Sequence, residues 1–529
     1  MQDRPRTVVG SSLSLDRRTL LRTAGAFGAG IAAPSLLMPG RARAAAKGGH
    51  LKVGFSHGST TDSLEPGTYE HGLAILISYT IHGKLTIVGP DGKLHGDLAE
   101  SWEASDRATK WTFKLRDAQF HNGKPVTAAD VIASLNHHRG EATTSNAKTL
   151  LAPVINLSAD GDRTVVVELA SGDADFPYTL TDYQLAICQA DADGKMLWQD
   201  DGSRSGPYRL TEFDPGVRVV FERADNHWNS GIGHLDSAEV LVISDVTARQ
   251  NALLTGEVDL IDRPDVCTLE MLRQAPNLVI EEAPGFHFYG FTMFCDTPPF
   301  DNNDVRLALK YAIDREAALD VAVKGHGVIA NDHPITPAYR FYNDAIPQRT
   351  YDPDKAAFHL KKAGYSSLDI DLSASAAAFG AAVDCSVLYK SNAGKAGINI
   401  NVVNEPADGY WSNVWLKKPF IANNWGGRPT EDQMFSVAYE KGAPWNDTHF
   451  GDERFNMLLK EARAELDEPK RREMYAEMQQ IVHDVGGVIV PIIPNNIWAF
   501  NQRVKHDADI SNVWQIDGLQ FVSRWWVEQ

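Results

Sequence analysis

The chain is expected to fold as an α/β protein, on three observations. Strand-like and helix-like runs alternate through the first half in strand–helix–strand order. A second such series restarts near residue 286. Hydrophobic residues make up 43% and charged residues 23% of the 529, the balance of an ordinary globular chain rather than a disordered, collagenous or coiled-coil one. That length accommodates about three to four domains.

The elements follow in order. Leu51–Phe55 alternates as a first strand, and a polar loop runs from Ser59 to Gly67. Leu73–His82 is an apolar helix. Leu85–Val88 is a strand stopped by the turn cluster Gly89-Pro90-Asp91-Gly92. Trp111–Arg116 places Trp, Phe and Leu on one face and Thr, Lys and Arg on the other. Thr127 caps a helix carrying Val131, Ile132 and Leu135. Thr164–Leu169 is a Val-rich strand. Tyr208–Leu210 and Val217–Glu222 form a hairpin about Asp214-Pro215-Gly216. Val240–Ile243 is a buried strand, Val246–Leu254 a helix, and Val258–Ile261 a strand after the Gly256 turn. In the second half, Phe286–Met293 alternates. Asp304 is expected to cap one long helix from Val305 to Asp320, and Asp354 another to Ala363, ended by Gly364. Ile398–Val403 is a strand. Glu453–Leu466 and Pro469–Val485 are amphipathic helices, and Gly486-Gly487 precedes a buried strand, Val488–Ile493, that ends at Pro494.

Residues 1–46 read as an address. Arg4, Arg6, Arg17, Arg18 and Arg22 precede an Ala/Gly-rich apolar run from Thr23 to Met38, too short to span a bilayer comfortably, and Ala42-Arg43-Ala44 supplies a cleavage site near Ala44–Ala46. Asp16-Arg17-Arg18-Thr19-Leu20-Leu21-Arg22 resembles a twin-arginine export signal. Removing residues 1–44, with seven Arg and two Asp, takes the net charge from −18 to −23. Such a charge excludes nucleic acid as a partner. A mean hydropathy of −0.28 argues against a polytopic membrane protein. Cys188, Cys267, Cys295 and Cys385 are widely spaced, and their pairing is left open.

Familiar enzyme chemistry finds little support. Gly54-Phe55-Ser56-His57-Gly58 matches G-x-S-x-G, but a loop follows the Ser where a nucleophile elbow needs a helix. His137-His138 would point about 100° apart on a helix, a poor arrangement for sharing one metal. Gln189–Asp200 faintly resembles a calcium loop with poor first and last ligands. No catalytic residue, metal site or cofactor is expected. Residues 410–445 are denser: they hold Trp411, Trp415, Trp425 and Trp445, four of the 12 Trp, beside Arg428, Glu431 and Asp432. Trp beside charge suits a site for an amphipathic small molecule, although any one Trp is as readily core.

Several stretches together resemble the extracytoplasmic solute-binding proteins, family 5, of peptide and nickel ABC importers. Leu98–Trp102 is similar to its LAESW segment, and Trp111–Asp130 to WTFxLRxGVxFHDGxPxTAxD. Arg204–Tyr208 is similar to its GTGPY turn, Leu254–Asp259 to LxxGEVD, and Pro299–Arg315 to PFxDxxVRxALxxAIDR. These five motifs occur in the family's order, and the resemblance covers the chain from about residue 50 onward. The resemblance implies a periplasmic binding protein-like fold of type II, cluster C: two lobes with a hinge plus an inserted β-rich subdomain. The expected division is a signal peptide 1–46, first lobe 47–88, 201–284 and 494–529, subdomain 89–200, and second lobe 285–493. It implies a periplasmic, monomeric, non-catalytic receptor. Such a receptor closes on a small-molecule or peptide ligand and delivers it to the permease and ATPase subunits of an ABC transporter.

In the family's peptide binders a W-x-x-D segment supplies an Asp for the peptide ammonium. Here Trp425-Gly426-Gly427-Arg428 puts Arg428 in that slot, so the charge is reversed and a carboxylate is favoured by its bidentate fork. Pairing of Arg428 with Glu431 is the purely structural alternative. The candidate ligand-binding residues are therefore Trp425, Arg428, Asp432, Glu431, Trp411 and Tyr69. The expected ligand is a peptide or amino-acid-like solute. An oligosaccharide or metal chelate is the alternative, and a secreted hydrolase the remote one.

Overall fold

The strand Val488–Asn501 joins the two halves of the molecule. The structure, a computed structural model, describes residues 48–528. The signal and twin-arginine readings of residues 1–46 lie outside them. The apolar run from Val488 to Ile493 does not stop at Pro494. Its first part pairs antiparallel with Phe288–Met293, Tyr289 opposite Ile492 and Phe291 opposite Ile489. Its middle pairs with Gly327–Ile329, Gly327 opposite Pro494. From Asn495 onward it pairs with Leu278–Pro284, and from Trp498 to Phe500 also with Leu260–Asp262. One strand thus changes partners as it passes from one lobe to the other.

The first lobe is built on His50–Phe55, which lies parallel to both Ser237–Val242 and Leu260–Asp262. Parallel neighbours need a crossover. The helix Val246–Thr255 supplies it: the Asp245 carboxylate accepts the Ala248 N–H, and Gly256 ends the helix at φ +75°, where a side chain would be strained. The hairpin Tyr208–Asp214/Arg218–Arg223 extends this sheet at its edge. The second lobe repeats the logic, with Leu368–Ala374 parallel to Ile398–Asn404 around the helix Ala382–Gly394. Phe420–Trp425 pairs with Phe288–Met293. A separate four-stranded antiparallel sheet, in the order Ala99–Ser105, Lys110–Leu115, Thr164–Leu169, Val154–Ala159, carries the helix Ala128–His137. There the Asp130 carboxylate accepts the N–H and hydroxyl of Thr127 at 2.8 and 2.6 Å, a capped start as the sequence suggests.

Each part has its own core. Phe113, Val131, Val165 and Phe176 fill the small sheet. Val53, Leu76, Phe221, Trp498 and Trp525 fill the first lobe, so the C-terminal tail folds back onto it. The second lobe packs Phe291, Leu309, Tyr389 and Phe420 in one cluster and Phe435, Phe455, Tyr475 and Val490 in another. At about 1.5–3 kcal/mol for each fully buried large apolar side chain, these clusters are the main stabilising term.

Three further sequence expectations need correction. The long helix from Val305 is two helices, Asn303–Tyr311 and Arg315–Val323. Asp314 breaks it, because its carboxylate accepts the Ala317 N–H at 3.1 Å and starts a new helix. Asn302, not Asp304, caps the first, while Asp304 pairs with His359 and Lys362. The next helix is capped by Asp352, with Pro353 in its first turn.

Candidate functional site

The carboxyl ends of the parallel strands His50–Phe55 and Leu260–Asp262 lie side by side, which is where open α/β sheets place ligands. Beyond those ends is a cavity of about 660 Å³. Its first-lobe wall includes His57, Glu70 and Arg263, with Tyr183 beside them from the segment 89–200. Its second-lobe wall includes His287, Tyr289, Phe379, Asn424, Gly426 and Gly427. The shared strand contributes Asn495 and Asn496, and the C-terminal tail Trp514 and Gln515. Tyr289 stacks on Phe379 with centroids 4.5 Å apart and planes at 6°, and Tyr183 meets Trp514 edge to face at 6.0 Å. Flat apolar faces with a few convergent polar groups make a small-molecule site.

The polar groups are organised from below. Asp262 is fully buried. It accepts the Ser56 N–H at 2.8 Å, the Ser56 hydroxyl, and the Gln515 amide at 3.0 Å, and it pairs with Arg249 at 3.4 Å. Burial pushes its pKa above the ordinary carboxylate range. Gln515 in turn accepts Arg263 Nε–H at 2.7 Å, and Arg263 Nη1 donates to His57 Nε2 at 3.1 Å. Burial, then the neighbouring Arg263, pushes the pKa of His57 down to about 4, and the same causes push His287 to about 4. Both imidazoles are neutral near pH 7. Arg263 and Glu70 are the one arginine or lysine and the one carboxylate among the described lining residues.

None of the six candidate residues from the sequence lines this cavity. The four Trp do form a chain, Trp411–Trp415–Trp425 and Trp445, with centroids 5.9–6.4 Å apart, but around a carboxylate. Buried Asp447 accepts Trp415 Nε1–H and Trp425 Nε1–H at 3.0 Å each and the Asn423 amide, and burial raises its pKa to about 6. Trp425 is buried there, and Trp411 is 42% exposed at the outer end of the chain. Arg428 does not pair with Glu431. Its guanidinium folds back onto the Gly426 and Gly427 carbonyls at 3.3 and 3.0 Å, 5.8 Å from the Trp425 ring. Glu431 is buried, accepts the Phe341 N–H and faces Arg340. Asp432 is buried and pairs with Arg463 at 3.2 Å. Tyr69 is buried and donates its hydroxyl to the Leu64 carbonyl. The structure therefore brings only the backbone beside Arg428, Gly426-Gly427, to the cavity.

The other motifs resolve as local structure. Ser56 donates its hydroxyl to buried Asp262 and lies 3.4 Å from His57 Nδ1, but a loop follows it, not the helix that a nucleophile elbow needs. His137 pairs with Glu65 and His138 with Ser145. Asp191 accepts its own loop's Asp193 and Lys195 N–H groups. Among the described residues no cluster of three or more His, Cys, Asp or Glu is placed to hold a metal, and no helix is long and apolar enough to cross a membrane. All four cysteines are free thiols. Sequence reasoning missed Arg263, His57, His287 and Gln515. The one available signal was position: Arg263 directly follows the strand that ends the LxxGEVD stretch.

Two lobes, a shared strand and a cavity walled by both define a bilobal solute-binding protein. The chain belongs to the bacterial extracellular solute-binding proteins, family 5, whose middle-region model matches residues 93–447. It is 27% identical to Heme-binding protein A of Haemophilus influenzae over 435 residues, covering 73% of this chain and 76% of that protein. It is 24% identical to Di/tripeptide-binding protein 1 of Pseudomonas aeruginosa over 481 residues, covering 82% and 86%. The fold is similar to that of HbpA2 from Haemophilus parasuis, with a TM-score of 0.82 at 20% identity over 91% of this chain and 100% of that one.

Proposed function

We propose that the chain is the periplasmic receptor of an ABC importer, which captures a small peptide or amino-acid-like solute between its lobes and delivers it to the permease. The observation that carries this reading is the cavity of about 660 Å³ walled from both lobes, a size within the roughly 300–1,000 Å³ usual for small ligands. Ligand contact with both walls favours a closed form, and closure is what a permease can read. The naming of relatives as di/tripeptide-binding and heme-binding supports a solute of this scale or larger. The change of partner along Val488–Asn501 at residues 494–495 supports the division into a first lobe of 47–88, 201–284 and 494–529, a subdomain 89–200 and a second lobe 285–493. Trp425 and Arg428 then act as supports of the lining turn Gly426-Gly427. Glu431, Asp432 and Tyr69 hold the surrounding framework, and Trp411 lies outside.

The chain acts as a monomer and performs no catalysis in this reading. Residues 1–46 export it by the twin-arginine route with cleavage near Ala44–Ala46. Replacing Arg17 and Arg18 by Lys should abolish periplasmic delivery, and undiminished delivery would remove that route. The receptor itself is tested by a thermal-shift screen of di- and tripeptides, amino-acid derivatives, oligosaccharides and metal chelates. At 100-fold excess over Kd a true ligand adds about 2.7 kcal/mol of stability. Stabilisation by sugars or chelates alone would replace the peptide reading. Turnover of any probe would overturn the receptor reading.

A further inference from the structure

We propose that Arg263 is the residue that selects the charge of the solute, by holding a ligand carboxylate at the first-lobe wall of the cavity. This rests on the cavity being the solute site. Arg263 follows the strand Leu260–Asp262 at φ +44°, a left-handed conformation unfavourable for a long side chain and of the kind that persists where the surroundings over-determine it. Its backbone is pinned on both sides: its N–H donates to the Ile497 carbonyl at 3.0 Å, and its carbonyl accepts Arg249 Nη2–H at 3.0 Å. Its side chain is exposed to the cavity.

The partners of the guanidinium are neutral. Nε–H goes to the amide oxygen of Gln515 and one Nη1–H to His57 Nε2. An arginine carries five N–H donors, so three remain, including the Nη1/Nη2 edge that matches a carboxylate fork. The nearest acid, Asp262, is already engaged by Ser56, Gln515 and Arg249 and makes no ion pair with Arg263. Asp262 therefore orients Gln515, and Gln515 orients Arg263; Asp262 acts on the guanidinium through space but forms no ion pair with it. In a chain of net charge −18, a cavity whose one arginine or lysine among the described lining residues has neutral hydrogen-bond partners is built for an incoming anion. Glu70, the one carboxylate among the described lining residues, suits an ammonium on the same solute. The chemistry indicated is a small zwitterion with a free carboxylate. Inorganic phosphate shares the oxyanion chemistry and is separated in the test.

The test is calorimetry of the full exported protein with four probes: alanyl-alanine, alanyl-alanine amide, N-acetyl-alanyl-alanine and inorganic phosphate. The expected result is that alanyl-alanine binds and its amide is weaker by about 30-fold or more, the loss typical when a buried charge pair lacks one partner. Arg263→Gln should abolish the difference between acid and amide, and Arg263→Lys should restore part of it, since charge remains and the fork is lost. His57→Glu, which offers Arg263 an internal carboxylate, should weaken the acid more than the amide and so narrow the difference between them. Melting temperature of each variant is the folding control, and one folded variant of the three suffices. Equal binding of acid and amide by the wild type overturns the proposal, as does an Arg263→Gln protein that still prefers the acid. Binding of phosphate in preference to every carboxylate probe, or no binding by any carboxylate probe up to about 10 mM, overturns it as well. Failure of every peptide, sugar and chelate in the wider screen would instead remove the receptor reading beneath it.

Discussion

Asp175 joins the small sheet to the second lobe through a buried ion pair. It lies next to Phe176 of the small-sheet core, 4% exposed, and meets two second-lobe arginines. Arg471 Nη1 donates to it at 2.8 Å with Nη2 alongside, and Arg340 Nη2 donates at 2.9 Å. The Arg471 side chain is 3% exposed and the Arg340 side chain 23%. These cations hold the Asp175 carboxyl below its usual range against the cost of burial. Asp175→Asn keeps the shape and one acceptor but strands the Arg471 charge. Breaking a buried pair by removing one partner costs about 3–5 kcal/mol. The partly exposed Arg340 adds about 1 kcal/mol at most. A loss of about 3 kcal/mol, if it falls on this contact, shifts the ratio of joined to separated lobes by about 100-fold. The variant should show a lower Tm or, if it stays folded, a larger radius of gyration by small-angle scattering. It should also need more solute to close. The double variant Asp175→Leu with Arg471→Met should recover most of the loss, because it removes both charges together. A Tm and a scattering curve for Asp175→Asn indistinguishable from wild type would refute this reasoning.

Asp173 sits in the same contact, its pKa raised to about 7 by burial and by the facing carboxylates Asp175 and Asp432, with Arg463 opposing. A raised carboxyl pKa favours the protonated form in the folded state, so its contribution is present at low pH and is lost as pH rises through about 7. Between pH 5 and 8 the wild type should lose stability and Asp173→Asn should not, as read by denaturant midpoints. At Gly427 an added Cβ would lie 2.1 Å from Phe286 Cβ, so Gly427→Ala should displace the lining turn, cost about 1–3 kcal/mol by overpacking and weaken solute binding in calorimetry. Arg428→Ala removes contacts to its own turn's carbonyls and a long, 5.8 Å approach to the Trp425 ring. It should change stability by about 1 kcal/mol or less and affinity less than Arg263→Gln does.

Much of the framework was legible because local pattern and tertiary role agree. Trp111–Arg116 alternates because one face of that strand packs the small-sheet core, where Trp111 and Phe113 are buried. Thr127 reads as a helix start and sits in a capping box with Asp130. Other features failed for identifiable reasons. Pro494 looks like a strand terminator because it lacks an N–H, yet the strand continues through it at the place where partners change. Asp304 and Asp314 are the same residue type ten positions apart, and sequence does not say which carboxylate finds a backbone N–H and which finds His359. The Trp cluster was visible as composition, but its focus, buried Asp447, was not. Arg263 was hidden because its site exists only when residues 57, 263 and 515 meet, more than two hundred positions apart in each step.

The central claim is that one solute is held between the two lobes at this cavity. Hydrogen exchange of the protein with and without a saturating ligand from the screen tests it most directly. The account predicts protection in residues 54–58 and 263–266 of the first lobe together with 287–289 and 424–427 of the second, and none along the outer strand Ile398–Asn404. Protection confined to one lobe, or centred on the Trp411–Trp445 cluster with the Arg263 segment unchanged, would contradict it.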